Sequence, residues 1–579
     1  MHALETLQSG GYRHAGLTRL KLTDPLASFP PEILELGDTL EDLDLSGTGL
    51  SQLPSTISTS LPKLQRIILD QCNFTIFPEV LGSCPALETV SLRSNNMTTI
   101  PEDSLPPTLR CLILTNNRLT SLPRSISRCQ HLRTCILTAN ELRTLPRDLG
   151  RCKHLTELRL SCNRLRTLPR WLFSSLPELA YLSFGSNPCV APTANGFHKP
   201  KGLTGVPWSE LEAQEQQASG SSHSFKGLWH QSPDYAEDVA VTLFLGGRGA
   251  RDEGSAADEL AAYVAAGVHE GLVTVLGLVE GHPWEEADHD GSLVYQGGVV
   301  TQVVPESYVR LGEGTGSSLP AVATLTASQE RTTAALSSSS ETQQHSVAPS
   351  TESQSQSPDP TAAAAAAAAA TTTTAAGGTN ANPFRPAYSP QTVLQLLTPL
   401  ASALEHLHAR GISHGAITPQ NVLASAEDGH ALLEGFGAAT MYGQGDLTPD
   451  EEQSDACEED DATNYEDDDG TNEEDTDTNQ LSVGELVERV EVFAFGRLME
   501  NLLGERPTDA PTRSREEEEE EEEDRAEAGG KDVAWGLWQL RDRCVAPRAA
   551  DRVGFMEVVE ALEDMMGWRG MMRIAPRFG

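Results

Sequence analysis

Aromatic residues and positive charge are both scarce in this chain. Phe, Trp and Tyr make up 5% of its 579 residues, and 42 Lys and Arg face 83 Asp and Glu, a net charge of −41. A chain so short of positive charge is excluded as a general electrostatic binder of nucleic acid or of an anionic membrane, since both need a basic face. No run of 18 apolar residues occurs, so no membrane-spanning helix is expected. The N-terminal stretch MHALETLQSGGYRHAGL lacks a basic segment followed by an apolar one, so no secretory signal is expected there. Eight of the ten cysteines precede residue 190, and none are closely paired. Cys84, Cys129 and Cys152 each stand three residues before a repeated leucine. That pattern reads as a small buried slot reused, not a disulfide framework or a metal site. A cytoplasmic (intracellular), reduced protein is expected, with no nucleic-acid or membrane partner.

The acidic excess is local. Asp446 to Asp477 holds 17 acids and no Lys or Arg, and Glu516 to Asp524 is nine acids in a row. Like charges repel and resist burial, so both runs are expected to be solvated insertions. Glu313 to Ser389 is rich in Ser, Thr, Ala and Gln and contains nine consecutive alanines from Ala362 to Ala370. It reads as a low-complexity, disordered insertion.

A repeat occupies the first third. The pattern LxxLxLxxNxLxxLP begins at Leu17, Leu40, Leu64, Leu87, Leu109, Leu132, Leu155 and Leu179, at intervals of 22 to 24 residues. One copy runs Leu109, Leu112, Leu114, Asn117, Leu119, Leu122, Pro123. A short strand would point its leucines inward, and the Asn would turn the chain at the strand end. A single unit cannot bury its own apolar face, but eight stacked units can. These residues resemble the leucine-rich repeat family in its short form with the LP step, which implies a curved α/β solenoid over residues 14–190. Pro25, Thr48 and Cys72 stand where the Asn is expected, and Asn187-Pro188-Cys189 reads as a closing half-turn.

On the concave side, Ile68, Ile113 and Ile136 fall at strand positions where solvent is expected, with Arg93 and Arg159 at their edge. Two readings stand side by side. These are ordinary scattered surface apolars, or they are a stripe on which a protein partner docks.

Beyond Trp208 the period vanishes, and islands of regular patterning remain between the insertions. They are the strand-like Val239 to Phe244, a helix opened by Asp258-Glu259-Leu260, a long helix from Thr392 to Arg410, the segment His414 to Leu423, Gly435-Phe436-Gly437, Glu491 to Gly496, and Cys544 to Phe555. In this order and spacing they resemble a protein kinase domain of the tyrosine-kinase-like group. Val239 to Thr242 match VAVK, Glu259 the helix-C glutamate, residues 414–421 the H-R-D-L-K-P-Q-N loop, and residues 435–437 D-F-G. Glu491 to Gly496 match D-V-W-S-F-G, and Arg552 the late arginine that pairs with the A-P-E glutamate. The resemblance implies an α+β bilobal domain. Its N-lobe would span 206–312 and its C-lobe 390–566. Insertions are expected at 313–389, 446–479 and 513–530.

The departures from that pattern decide the expected chemistry. Phosphoryl transfer depends on placed charges. Thr242 replaces the phosphate-binding lysine, Ala416 the base, Thr418 the loop lysine and Gly435 the magnesium-binding aspartate. Asn421 remains as a lone neutral ligand where a hard cation needs several oxygens. His414 is expected to be a buried structural histidine. In the glycine loop only Gly220 is kept, and Lys226 resembles the displaced lysine of the "with-no-lysine" kinases. The resemblance therefore implies a leucine-rich-repeat pseudokinase, a protein-interaction scaffold or signalling regulator that requires no cofactor. The alternative is an atypical ATP-dependent Ser/Thr kinase that uses Lys226, with ATP and Mg²⁺ as cofactors.

Overall fold

A computed structural model of the chain describes residues 3–9, 16–190, 203–219, 222–232, 234–246, 254–282, 294–311, 388–425, 428–442, 481–504, 506 and 522–567. Eight strands of three residues form one parallel sheet in chain order. They are β1 (Arg19–Lys21), β2 (Asp42–Asp44), β3 (Arg66–Ile68), β4 (Thr89–Ser91), β5 (Cys111–Ile113), β6 (Thr134–Ile136), β7 (Glu157–Arg159) and β8 (Tyr181–Ser183). The middle residue of each strand points into the core and is buried, from Leu20 and Leu43 through Leu112 to Leu182. Short helices α1 (Ala3–Gln8), α2 (Ile57–Ser60) and α3 (Trp171–Ser175) join the solenoid's flanks and ends. At four repeats a proline at the LP step opens a 3₁₀ turn: Pro31–Leu36, Glu79–Ser83, Arg124–Arg128 and Arg147–Arg151.

The asparagines hold the repeats together. The Asn140 amide donates to the carbonyls of Leu114 in the previous repeat (3.0 Å) and Leu137 in its own (3.0 Å). Its oxygen accepts from the backbone N–H of Leu119 at 3.1 Å. Asn95, Asn117, Asn163 and Asn187 repeat the same three contacts. A buried carbonyl or N–H left unpaired is costly, so one side chain that satisfies three such groups is a strong reason for Asn here. Thr48 and Cys72 fill the same slot with less, the Thr48 hydroxyl and the Cys72 thiol both donating to the Leu45 carbonyl. The residue before each slot is left-handed: Gly47, Gln71, Ser94, Asn116, Ala139, Cys162 and Ser186 have φ between 53° and 73°.

The expectation that Ile68, Ile113 and Ile136 stand in solvent is corrected. They are 5%, 2% and 4% exposed. Ile113 and Ile136 are register partners on adjacent strands, and parallel strands lie about 4.8 Å apart.

The second part begins with β9 (Thr204–Pro207), two residues ahead of the expected boundary. It joins β10 (Leu211–Ser219), β11 (Ser222–Ser232), β12 (Tyr235–Gly246), β13 (Val275–Glu280) and β14 (Val294–Gln302) in the order β10-β11-β12-β14-β13-β9. All these pairings are antiparallel except β13 with β9. Helix α4 (Ala256–Ala266) lies on this sheet, its Leu260 and Val264 packed with Phe244 and Val299. Ser255 caps it by accepting from the Asp258 N–H.

A helical layer follows: α5 (Pro390–His408), α6 (Val483–Leu503), α7 (Glu522–Cys544) and α8 (Phe555–Met565), with β15 (Val309–Arg310), β16 (Ile412–Ser413), β17 (Val422–Ser425), β18 (His430–Leu433) and β19 (Thr440–Met441) in two small sheets. Helix α7 begins at Glu522, within the stretch 513–530 expected as an insertion. Glu, Ala and Arg are good helix formers, and acids are favoured in the first turn by the helix dipole. Residues 313–387 and 446–479 lie outside the described residues.

The solenoid's apolar core does not stop at its last repeat. Val483, Leu486, Val487 and Val490 of α6, together with Tyr442 and Ala549, belong to the same buried cluster as the repeat leucines. A terminal repeat must be covered, since its open edge is apolar. Here the cover is a helix about 300 residues later in the chain.

Candidate functional site

The segment from Gly411 to Leu423 is shaped by its backbone. Gly415 has φ +76°, and a Cβ there would fall 2.3 Å from the Ala438 carbonyl oxygen, so no larger residue fits. Beside it the carboxylate of Glu491, from α6, is buried. It accepts from the Ser413 hydroxyl (2.8 Å), from His408 Nε2 (2.8 Å) and from the Gly415 N–H. Burial pushes its pKa up, but the His408 hydrogen bond and charge and the Gly415 N–H outweigh that and hold it below the ordinary value. His408 is fixed in turn by the Tyr442 hydroxyl at 2.8 Å. This network anchors the loop to α6.

Within the loop the structure brings together His414, Ala416, Asn421 and Gly435. His414 is buried, with Nε2 3.0 Å from the Glu434 carbonyl and its ring against Phe436. The Asn421 amide donates to the Ala416 carbonyl at 2.8 Å, and Glu434 N–H donates to the Asn421 carbonyl. Gly435 is left-handed at φ +82°, and a Cβ added there would lie 2.9 Å from Asn421 Oδ1. The Ala416 methyl is buried. A carboxylate therefore stands neither at 416 nor at 435. Among the described residues no group of three or more His, Cys, Asp or Glu converges as a metal would require.

On the sheet, Thr242 faces Ser224, their hydroxyls 3.0 Å apart. Lys226 is exposed and stands opposite Ala240, two pairs further along. Gly220 lies outside the described residues. Glu259 is buried on α4, and Tyr263 of the same helix meets Phe436 with ring centroids 4.8 Å apart.

The concave candidates split. Arg93 and Arg159 are half-buried; Arg159 Nε contacts Glu157 Oε1 at 2.5 Å. They flank the buried isoleucines described above.

Several contacts carried no clear sequence signal. The Ser186 hydroxyl of the closing turn donates to the Asp258 carboxylate at the start of α4. Burial raises the Asp258 pKa, partly offset by hydrogen bonds from Ser186 and Ser255. The Thr440 hydroxyl accepts from the Phe184 N–H at 3.2 Å. Arg552 is buried and donates to three carbonyls: Ala546 (2.9 Å), Arg489 (3.2 Å) and Pro177 of the solenoid (2.7 Å). Burial lowers its pKa to about 10. The regular spacing of the repeats could not announce these partners, because each joins segments far apart in sequence.

Residues 154–176, the seventh repeat, match the family model described as Leucine Rich Repeat. A probable myosin light chain kinase of Dictyostelium discoideum is 38% identical over 63 residues, 11% of this chain and 20% of that protein. The PH domain leucine-rich repeat-containing protein phosphatase 1 of Mus musculus is 33% identical over 125 residues, 20% of this chain and 7% of that protein. The chain thus spans a fifth or less of these relatives. A solved leucine-rich repeat protein of Leptospira interrogans is 28% identical, over 30% of this chain and 49% of that one, with a TM-score of 0.26. The N-terminal part is built of leucine-rich repeats.

Proposed function

We propose that this chain is a leucine-rich-repeat protein that captures a protein partner on the concave face of its solenoid, and that residues 206–566 form a kinase-like scaffold without phosphoryl-transfer chemistry. The observation that carries the second half is the Ala416, Asn421 and Gly435 arrangement. Where a kinase needs a base and a metal-binding carboxylate, this chain has a buried methyl and a left-handed glycine. The Asn421 amide is turned onto the Ala416 carbonyl. Charge placed at the reacting phosphate is what such catalysis rests on. The Glu491 contact to the Gly415 N–H, and helix α4 against the sheet, support the kinase-like reading of the frame. For the solenoid, the leucine-rich repeat matched over residues 154–176 and the parallel sheet of eight strands support the reading.

Incorporation of labelled γ-phosphate by the purified full-length chain tests the reading. The expected result is background incorporation into itself and into generic protein substrates, with or without Mg²⁺. The rival reading is an atypical kinase using Lys226, which is exposed on the sheet. Incorporation above background that Lys226→Ala abolishes would establish that rival and overturn the proposal.

A further inference from the structure

The solenoid's basic residues are gathered in one half. Residues 93–170 hold fourteen Lys and Arg against five Asp and Glu, a net of +9 within a chain of −41. Three arginines recur at one repeat position, directly after the LP proline: Arg124, Arg147 and Arg170. Stacked repeats place equivalent positions side by side, so these three form a column along one flank. Arg151 and Lys153 stand beside Arg147, and the three line an open notch of about 340 Å³ with Asp148, Gly150 and Ser175. Arg124, Arg147 and Arg151 are exposed, and Arg147 and Arg151 make no ion pair among the described residues. Nearby acids are few: Asp148 in the notch, and Glu102 and Asp103 one repeat back, where Glu102 accepts the Arg124 N–H.

The head of this column is engaged. Arg170 Nη1 donates to the Leu481 carbonyl at 2.8 Å. Leu481 is where the described backbone resumes after residues 443–480, and Tyr442, on the other side of that stretch, is buried in the solenoid core. A segment with 17 carboxylates and no Lys or Arg therefore leaves and rejoins the described structure at the end of an arginine column. An extended chain covers about 3.3 Å per residue, so fewer than ten residues from Leu481 suffice to reach Arg124.

We propose that the column Arg124, Arg147 and Arg170, with Arg151 and Lys153, is a docking site for a polycarboxylate strand, and that its occupant is the chain's own acidic run 446–477. Guanidinium groups pair carboxylates through short, charge-assisted hydrogen bonds. Attachment at both ends makes the docking intramolecular, with an effective concentration of order mM. Because the contacts are exposed, salt screens them.

The test uses the full-length chain and a glutamyl-specific protease, timing cleavage within 446–477 by mass spectrometry at 50 and 500 mM NaCl. Cleavage in the 516–524 run serves as the internal reference for the protease itself. Docking predicts at least a five-fold rise in relative rate at high salt, and the fast rate at both salts in R124E/R147E/R151E. Equal relative rates for wild type and variant at 50 mM NaCl overturn the proposal. A second measurement does not depend on that variant's folding: anisotropy of a labelled twelve-residue oligoglutamate. Removing residues 446–477 should tighten peptide binding at least ten-fold at 50 mM NaCl. Unchanged binding overturns the proposal.

Discussion

Single residues carry the solenoid's order. Asn140→Ala would orphan the buried N–H of Leu119 and take one of two donors from the carbonyls of Leu114 and Leu137, which Asn117 and Asn163 still reach. At about 1–3 kcal/mol for one unsatisfied buried group, a loss of about 2 kcal/mol is expected in urea denaturation. Ala139 next to it is left-handed at φ 56°. A Cβ in that conformation costs about 1–2 kcal/mol, while glycine loses about 0.4–1 kcal/mol through its freer unfolded chain. Ala139→Gly should therefore stabilise by about 0.5–1 kcal/mol, visible as a raised urea midpoint at unchanged slope. The buried thiols add a dependence on pH. Burial pushes Cys129 up to about 12 and Cys152 up to about 11, from an ordinary value of 9.0. A raised folded-state pKa means the folded chain holds its proton longer than the unfolded one. The associated stability is full below pH 9 and is lost as pH rises from 9 through 11 to 12. Replacing both thiols by Ala should flatten the fall of stability between pH 9 and 11 in equilibrium unfolding.

Elements differ in how far the sequence alone disclosed them. The eight strands and the ladder asparagines were legible because one physical requirement, burial of a single apolar face, recurs every 22 to 24 residues. Helix α5 and strand β12 were legible through their own periodicity. The isoleucines at 68, 113 and 136 are buried although their strand positions suggest solvent, because alternation along a strand reports which face a side chain is on and not what covers that face. The partnerships of Glu491 and Arg552 were hidden for another reason, since their contacts lie across long sequence separations. Arg552 matches an arginine whose usual A-P-E glutamate this chain lacks, and its hydrogen bonds go to three carbonyls, one of them on the solenoid. Arg552→Ala removes three charge-assisted hydrogen bonds in a buried setting. It should lower stability by about 3 kcal/mol or more, measured as a drop in melting temperature of the full chain.

At the scale of the molecule, solenoid and helix α6 share one buried cluster, so they should melt together. Leu486→Asp, in α6, would set an unpaired charge against the last repeats. The expected outcome is loss of protection in the repeats nearest α6, read by amide hydrogen exchange at Leu160 and Leu182, where an unaffected solenoid would refute shared melting. The cover of that last repeat is also late in time. Arg170 meets Leu481 across 311 residues and Pro177 meets Arg552 across 375. At roughly 5–20 residues per second, a ribosome needs about 15–75 s to make the chain between them. Throughout that interval the nascent solenoid ends in an open row of leucines, and closing so long a loop is intrinsically slow. During synthesis this apolar edge is therefore exposed to association, and a stalled or truncated chain would be a sticky product instead of a smaller working one.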